Sequence, residues 1–443
     1  MEITLYEELD SSILEKQYSG CNHIHLSNNP QPDWADLLAA KWLKAIKKTY
    51  KDKGLDSFKF SQDIVTAQAN QFVAAVDQQF NSNIDFDTPD YKMREVLKQN
   101  TWHFSIAKNH NDLKSLNNLL LKTDGSLRSW NEFKNEAQKV VGTSIKYLKT
   151  EYDTIVAGAQ MSSLWAEIQR DKHIFPFLEF VVTKDNRTSA ICEPLYKVVV
   201  SVDDPMLMYY FPPNHFNCRT TVKKLRRGVP TQNYAAPEIP EAFRNNIGVT
   251  GKLFTDKNEY LKNTPQEILD LGTEMFYRNK RAERYKKIAF IKSVIKGKGS
   301  LEIFATGNQS KVEYIKNKEA LTILANNNQK YRLLPIINDG AKNPDGFNLI
   351  TNKYVDVKVA ESIIGKNIIA AALKEASRQN AEEVIIRLLY KPNSYREMYT
   401  ALLNVLKKNR NKNVTDVIVI FPDNTFKKYI LDRELLKIKK AQI

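Results

Sequence analysis

From Trp34 to Ile168 the apolar residues of this chain recur at intervals of three and four, and near Phe175 that rhythm stops. A period of about 3.6 residues belongs to helices that bury one stripe, whereas alternating or short continuous apolar runs belong to strands. The chain is therefore constrained to a helical first part followed by mixed α and β structure. At 443 residues it exceeds what one hydrophobic core usually holds, so several domains are expected. The hydrophobic share of 42% and the charged share of 26% are those of ordinary globular protein. No apolar run approaches the roughly 18 residues of a membrane span, so no membrane association is expected.

The helical part opens with Trp34, Leu37, Leu38, Trp42 and Ile46, with Lys41, Lys44, Lys47 and Lys48 between them. A second amphipathic run follows Asp63, using Ile64, Phe72, Val73, Val76 and Phe80. Thr88-Pro89 reads as a helix start, with Thr88 the cap and Pro89 at the first helical position. Helical patterns continue over Trp102–Leu121, Trp130–Tyr147 and Tyr152–Ile168, interrupted at Thr123-Asp124-Gly125. His103 and His110 lie among them and receive no role. The acidic start, Met1–Glu8, lacks a basic-then-apolar signal pattern, so Sec-type export is not expected.

Only three cysteines occur, Cys21, Cys192 and Cys218, too few for a disulfide framework. Cys192 lies between two strand-like runs, Phe177–Val182 and Lys197–Val202, and His215-x-x-Cys218 follows the second. Thiolates and imidazole at such spacing suit Zn²⁺. A closed site needs a fourth ligand, for which Asp185 is the candidate. Otherwise the cysteines are small buried residues and His215 is a hydrogen-bonded one.

This stretch is similar to the phage head morphogenesis proteins of the Mu F type. The similarity rests on Asp185, Arg187, Thr188, Cys192, Pro212, Pro213, His215, Cys218 and Arg219, over roughly Trp130 to Leu225. Many members of that family carry further cysteines where this chain has Ser189 and Thr220. The resemblance implies a minor head protein near the portal, with portal and head proteins as partners and the phage head as its location.

Past Leu225 the basic residues Lys223, Lys224, Arg226 and Arg227 and the prolines Pro230, Pro237 and Pro240 read as a linker. A second basic cluster holds Arg278, Lys280, Arg281, Arg284, Lys286 and Lys287. It is either a nucleic-acid contact or a solvated face. The formal net charge of +15 points to an anionic partner, nucleic acid being the commonest, although solubility alone also accounts for such a charge.

The last part has a regular order: a helix from Lys318 through Ala325, strands at Tyr331–Ile337, Gly346–Ile350 and Lys353–Val359, a helix from Asn367 to Gln379, a strand at Glu383–Leu389, a helix at Tyr395–Lys408 and a strand at Val414–Phe421. Asp345 heads the second of these strands. Alternation places Tyr354, Asp356 and Lys358 on one face of the third, opposite Val355, Val357 and Val359. Two carboxylates and a lysine so placed suit a phosphodiesterase that uses a hard cation such as Mg²⁺, with the lysine orienting or deprotonating the attacking water. Asp-x-Lys alone is common by chance. An exposed strand carrying Asp356 and Lys358, with Asp345 in a Pro-Asp-Gly turn, is the structural alternative.

The order resembles the PD-(D/E)xK nuclease core. That resemblance implies an acid on the opening helix at Glu319, a second at Asp345, and the pair Asp356 and Lys358. The segment from about Glu313 to Leu431 also resembles the tRNase domains of contact-dependent inhibition toxins, through Asn343–Gly346, Asp356-x-Lys358 and Ala376-x-x-Gln379. It implies tRNA as substrate, the cytoplasm of a host or target bacterium as the place of action, and an acidic immunity protein as partner. Histidine-based, metal-independent RNA cleavage is disfavoured because no histidine follows His215.

The expected organisation is an α+β multidomain chain. It has a helical N-terminal region over 1–128, a small α+β Mu F-like domain over 129–227, a basic linker over 228–300 and an α/β restriction-endonuclease-like nuclease domain over 301–443. A head protein with an inactive, nucleic-acid-binding C-terminal domain, or a DNA endonuclease acting at packaging or genome delivery, are the other readings.

Overall fold

The computed structural model describes residues 34–54, 60–80, 84, 88–338, 342–433 and 435–441. The acidic stretch Met1–Glu8 and Cys21 lie outside them. The chain divides into two compact units, Met1–Asn279 and Lys280–Ile443. No described helix is long and apolar enough to cross a membrane.

The described residues of unit 1 open with five long helices: α1 (Ala35–Lys51), α2 (Gln62–Asp77), α3 (Pro89–Asn118), α4 (Trp130–Lys146) and α5 (Leu148–Asp171). The Thr88 hydroxyl accepts the Tyr91 amide at 3.2 Å, so α3 starts where the Thr-Pro pair predicts. Ser129 and Glu132 close a reciprocal capping box on α4. Helix α3 buries Leu97, Trp102, Phe104, Ile106, Leu113 and Leu116 together with the polar Lys108, Asn109 and Asp112. Lys108 Nζ reaches both carboxylate oxygens of Glu151 on α5, at 2.6 and 2.7 Å, and donates to the Ser144 carbonyl at 2.9 Å. A buried cation held this way is matched by charge and by acceptors.

Near Phe175 the chain changes to a three-stranded antiparallel sheet of β1 (Phe177–Val181), β2 (Val199–Ser201) and β3 (Thr221–Leu225), in the order β2-β1-β3. Met161, Trp165 and Ile168 of α5 pack with Leu178, Phe180, Val200 and Val222 in one core. A one-turn helix, α6 (Leu207–Tyr210), adds Leu207.

Residues 228–279, expected to belong to a linker, are folded instead. They carry α7 (Ile247–Thr250), α8 (Glu259–Lys262) and the start of α9 (Gln266–Lys286). Phe243, Ile247, Leu253, Phe254, Tyr260 and Leu261 join the core formed by Phe72, Phe104 and Ile155. Phe254 stacks on Phe104 with ring centroids 3.7 Å apart. A Cβ on Gly158 of α5 would stand 2.6 Å from Leu253 Cδ2, so the glycine admits this segment against the helix. The apolar residues here are too widely spaced for any period, which is why the prolines and charges dominate the sequence pattern.

Unit 2 is built on a nine-stranded mixed sheet of β4 (Phe290–Lys292), β5 (Ser300–Phe304), β6 (Lys330–Leu333), β7 (Gly346–Asn348), β8 (Lys353–Ala360), β9 (Glu383–Leu388), β10 (Asp416–Ile420), β11 (Phe426–Asp432) and β12 (Lys437–Ala441). Their order in the sheet is their order in the chain. Helix α10 (Lys311–Asn326) covers one face, with Ala320, Leu321 and Leu324 against Val355, Val357, Ile385 and Ile418. Helices α11 (Gly365–Arg378) and α12 (Tyr395–Lys407) cover the other, with Ile369, Leu373 and Leu402 against Val384, Ile386 and Val417. The middle strands are apolar on both faces because both are covered. The mixed α+β character expected from the sequence is that of the protein.

Arg281 and Arg284, part of the basic cluster, are engaged within unit 2. The Arg281 guanidinium lies 4.5 Å from the Tyr354 ring centroid. Arg284 donates to the Lys342 carbonyl at 2.8 Å, the Ile337 carbonyl at 3.2 Å and Asn343 Oδ1 at 2.9 Å.

Candidate functional site

Strands β7 and β8 pair antiparallel with Gly346 opposite Val355. Asp345, one residue before that pair, is thereby set opposite Asp356. Its Oδ2 accepts the Val357 amide at 2.8 Å, which fixes the carboxylate over the middle of β8. Val355 and Val357 enter the core beneath α10, as the alternation predicts. Asp356 is only 2% exposed, so the strand is not the exposed one of the structural alternative.

Burial pushes the Asp356 carboxyl up to about 7, and the charge of Asp345 adds to the effect against the pull of Lys358. Burial also raises Asp345, opposed by the Val357 amide, by Lys358 and by a hydrogen bond from Asn317. Lys358 Nζ stands 3.7 Å from Asp356 Oδ2, an oxygen that is buried and makes no hydrogen bond. Two buried carboxylates raise each other's cost of ionisation unless a cation joins them.

The structure brings Asp345, Asp356 and Lys358 together and leaves Glu319 out. Glu319 pairs with Arg387, and its side chain is 53% exposed. The residues of α10 that reach the site are Glu313 and Asn317, four apart and so on one helix face. Glu313 accepts a hydrogen bond from Ser310 Oγ at 3.2 Å, and its charge raises Asp345. Asn317 is 4% exposed and donates to Asp345. From α11, the charge of Glu375 raises Asp356. Gln379 lies beside Glu375, its amide 3.5 Å from the carboxylate.

Glu313 and Asn317 escape the sequence reading because the helix was expected to begin near Lys318, whereas it begins at Lys311. The signal was present: Ser310 and Glu313 form a Ser-x-x-Glu start, and the Ser310 hydroxyl accepts the Glu313 amide at 3.2 Å.

Carboxylate oxygens on Asp345 and Asp356, among them the Asp356 Oδ2 that makes no hydrogen bond, fit a hard cation of the Mg²⁺ kind. Among the described residues, the group of three whose ligand atoms all lie within 4.8 Å of one another is a different one, Cys192, His215 and Cys218 in unit 1. Asp185, considered as a fourth ligand there, is not part of it. Its two oxygens take the Arg219 guanidinium at 2.6 and 2.7 Å, and that pairing holds the carboxyl well below the usual range.

Residues 125–223 match the family described as Phage Mu protein F like protein. The match takes in α4, α5, β1, β2, the first three residues of β3 and the Cys-His-Cys group. No curated protein matches the chain. A solved structure, described as a CdiA-CT/CdiI toxin and immunity complex from Burkholderia pseudomallei, aligns over 31% of this chain and 91% of its own. The identity is 17% and the TM-score 0.23, a likeness that carries no argument for fold or function.

Proposed function

We propose that this chain is a phage or prophage head morphogenesis protein whose unit 2 is a Mg²⁺-dependent ribonuclease acting on tRNA. The head role is supported by the match of residues 125–223 to the Mu F-like family, and implies portal and head proteins as partners and the virion as location. The nuclease reading rests on one observation: the half-buried Asp345 is set opposite the buried Asp356 with Lys358 beside them, and one Asp356 oxygen has no hydrogen bond.

Asp345 and Asp356 would hold the ion, with Glu313 and Glu375 adding negative potential. The bound ion would supply charge neutralisation at a scissile phosphate and acidify water. Asn317 and the Val357 amide fix the rotamer of Asp345. Lys358, with its side chain 37% exposed, keeps its ammonium where solvent and a phosphate reach it, and there it orients the attacking water. tRNA as the substrate, and an acidic immunity protein as a partner, are carried over from the resemblance of Asn343–Gly346 and Asp356-x-Lys358 to contact-dependent inhibition toxins.

The test incubates the purified full-length chain with tRNA and, separately, with duplex DNA, each with and without Mg²⁺, beside Asp356→Asn. Cleavage of tRNA that needs both Mg²⁺ and Asp356 is the expected result. Cleavage of DNA in preference to tRNA replaces the substrate and keeps the site. Cleavage that persists in Asp356→Asn removes the site assignment, and no cleavage of either leaves a head protein with an inactive C-terminal unit.

A further inference from the structure

The Cys192, His215 and Cys218 group lies in unit 1, apart from anything the nuclease reading uses. Cys192 stands at the end of the loop that follows β1, and His215 and Cys218 stand in the loop that precedes β3. The three are 2%, 7% and 7% exposed. The two Sγ atoms are 3.5 Å apart and both thiols are free. That separation is too long for a disulfide bond of about 2 Å. It is close to the roughly 3.8 Å between two thiolates on one tetrahedral Zn²⁺.

The imidazole is prepared for the same task. His215 Nδ1 donates to the Phe216 carbonyl at 2.7 Å, which places the lone pair of the neutral ring on Nε2. A metal-ligating histidine is oriented in this way, its other nitrogen bonded to a carbonyl or carboxylate. Next to the group is Asn214, wholly buried, its side-chain amide turned to the Cys192 thiol. It borders Cys192, as does Thr220. A buried polar side chain beside three soft ligands, with no other side-chain partner, is placed to face an occupant of the same pocket.

We propose that Cys192, His215 and Cys218 bind one Zn²⁺ that ties the loop after β1 to the loop before β3, with Asn214 serving the fourth position. Asp185 takes no part, since Arg219 occupies both its oxygens. The ion is structural: it is enclosed by buried residues and joins two segments 26 residues apart in sequence.

The experiment purifies the full-length chain under reducing conditions without added metal and measures zinc by mass spectrometry. The metal-stripped chain is then titrated with Co²⁺. Stoichiometric zinc, and a Co²⁺ spectrum with thiolate charge-transfer absorption and the visible bands of a tetrahedral ion, are expected. Cys218→Ser and His215→Ala should lose the metal, while Cys21→Ser and Asp185→Asn should keep it. If the first two variants do not fold, the Co²⁺ spectrum of the unaltered chain still decides. A chain that holds neither zinc nor thiolate-bound Co²⁺, or whose Cys192 and Cys218 are joined as a disulfide without added oxidant, overturns the proposal. Metal content is read without reference to cleavage, so this result stands whether or not unit 2 is a nuclease.

Discussion

Asp345 accepts the backbone amide of Val357, the residue directly after Asp356, so one carboxylate is hydrogen-bonded to the strand that carries the other. The β7–β8 pairing at Gly346 and Val355 holds the backbones of the two acids next to each other. Burial and mutual charge make this pair unfavourable when ionised and empty.

That cost sets a pH dependence of stability. The folded-state carboxyl of Asp356 is raised to about 7 from an ordinary value of 3.8. Between those values the folded chain holds a proton that the unfolded chain has released, so stability falls as pH rises through the window and levels off above it. The fall amounts to at most about 4 kcal/mol. Denaturant unfolding of the metal-free chain from pH 4 to 8 should show it, and added Mg²⁺ should flatten it. A profile without the fall refutes the buried pair.

Asp356→Asn removes the charge and should therefore trade activity for stability. Cleavage is expected to drop to background, while unfolding above pH 7 becomes harder by about 2–4 kcal/mol. Melting and cleavage measured on the same preparation check both halves. A variant that loses activity and stability together indicates damage to the fold.

Glu313 and Glu319 separate the geometry from the sequence motif. Glu313→Gln, which weakens the surroundings of Asp345, should lower cleavage about 10–100-fold. Glu319→Gln breaks only its surface pair with Arg387 and should change stability by less than about 1 kcal/mol, with cleavage unaltered. The reverse ranking in a cleavage assay restores Glu319 to the site.

Lys108→Met tests unit 1. It leaves Glu151, wholly buried, without its cation, and should destabilise the chain by roughly 3–5 kcal/mol. The loss should shrink as pH falls, because a protonated Glu151 no longer needs a partner. Unfolding curves at pH 5 and 7.5 give the comparison.

Chelation has to be read with two metals in mind. EDTA would strip a Zn²⁺ at Cys192, His215 and Cys218 as well as a Mg²⁺ at Asp345 and Asp356. Cleavage should return on adding Mg²⁺ alone, and should not return in Asp356→Asn. Recovery that needs Zn²⁺ instead would assign the catalytic ion differently.

Much of this was legible because local chemistry and burial agree. Thr88 and Pro89 announce α3, and the valines of β8 announce which face enters the core. What stayed hidden lies where they disagree. Strand β11 carries Lys427 and Lys428, and β12 carries Lys437, Lys439 and Lys440, so neither shows an apolar pattern. Lysines are what an edge strand needs to resist pairing with other chains, and β12 is an edge. Lys428 is nearly buried between Glu383, at 3.1 Å, and Asp416, at 3.2 Å, a pairing that only the fold reveals.

The nine strands of unit 2 follow one another across the sheet in chain order, and β8 is the fifth from either edge. No strand has to be threaded between two already in place, so the sheet can be laid down progressively and unzipped from its margins. Traction on the C-terminal end removes β12 and β11 first, and the other margin is lost from β4 inward. Strand β8, which bears Asp356, and the start of β7, which Asp345 precedes, are thus the last to be reached by fraying from either margin. A unit frayed at its rims still keeps Asp345 and Asp356 opposite each other.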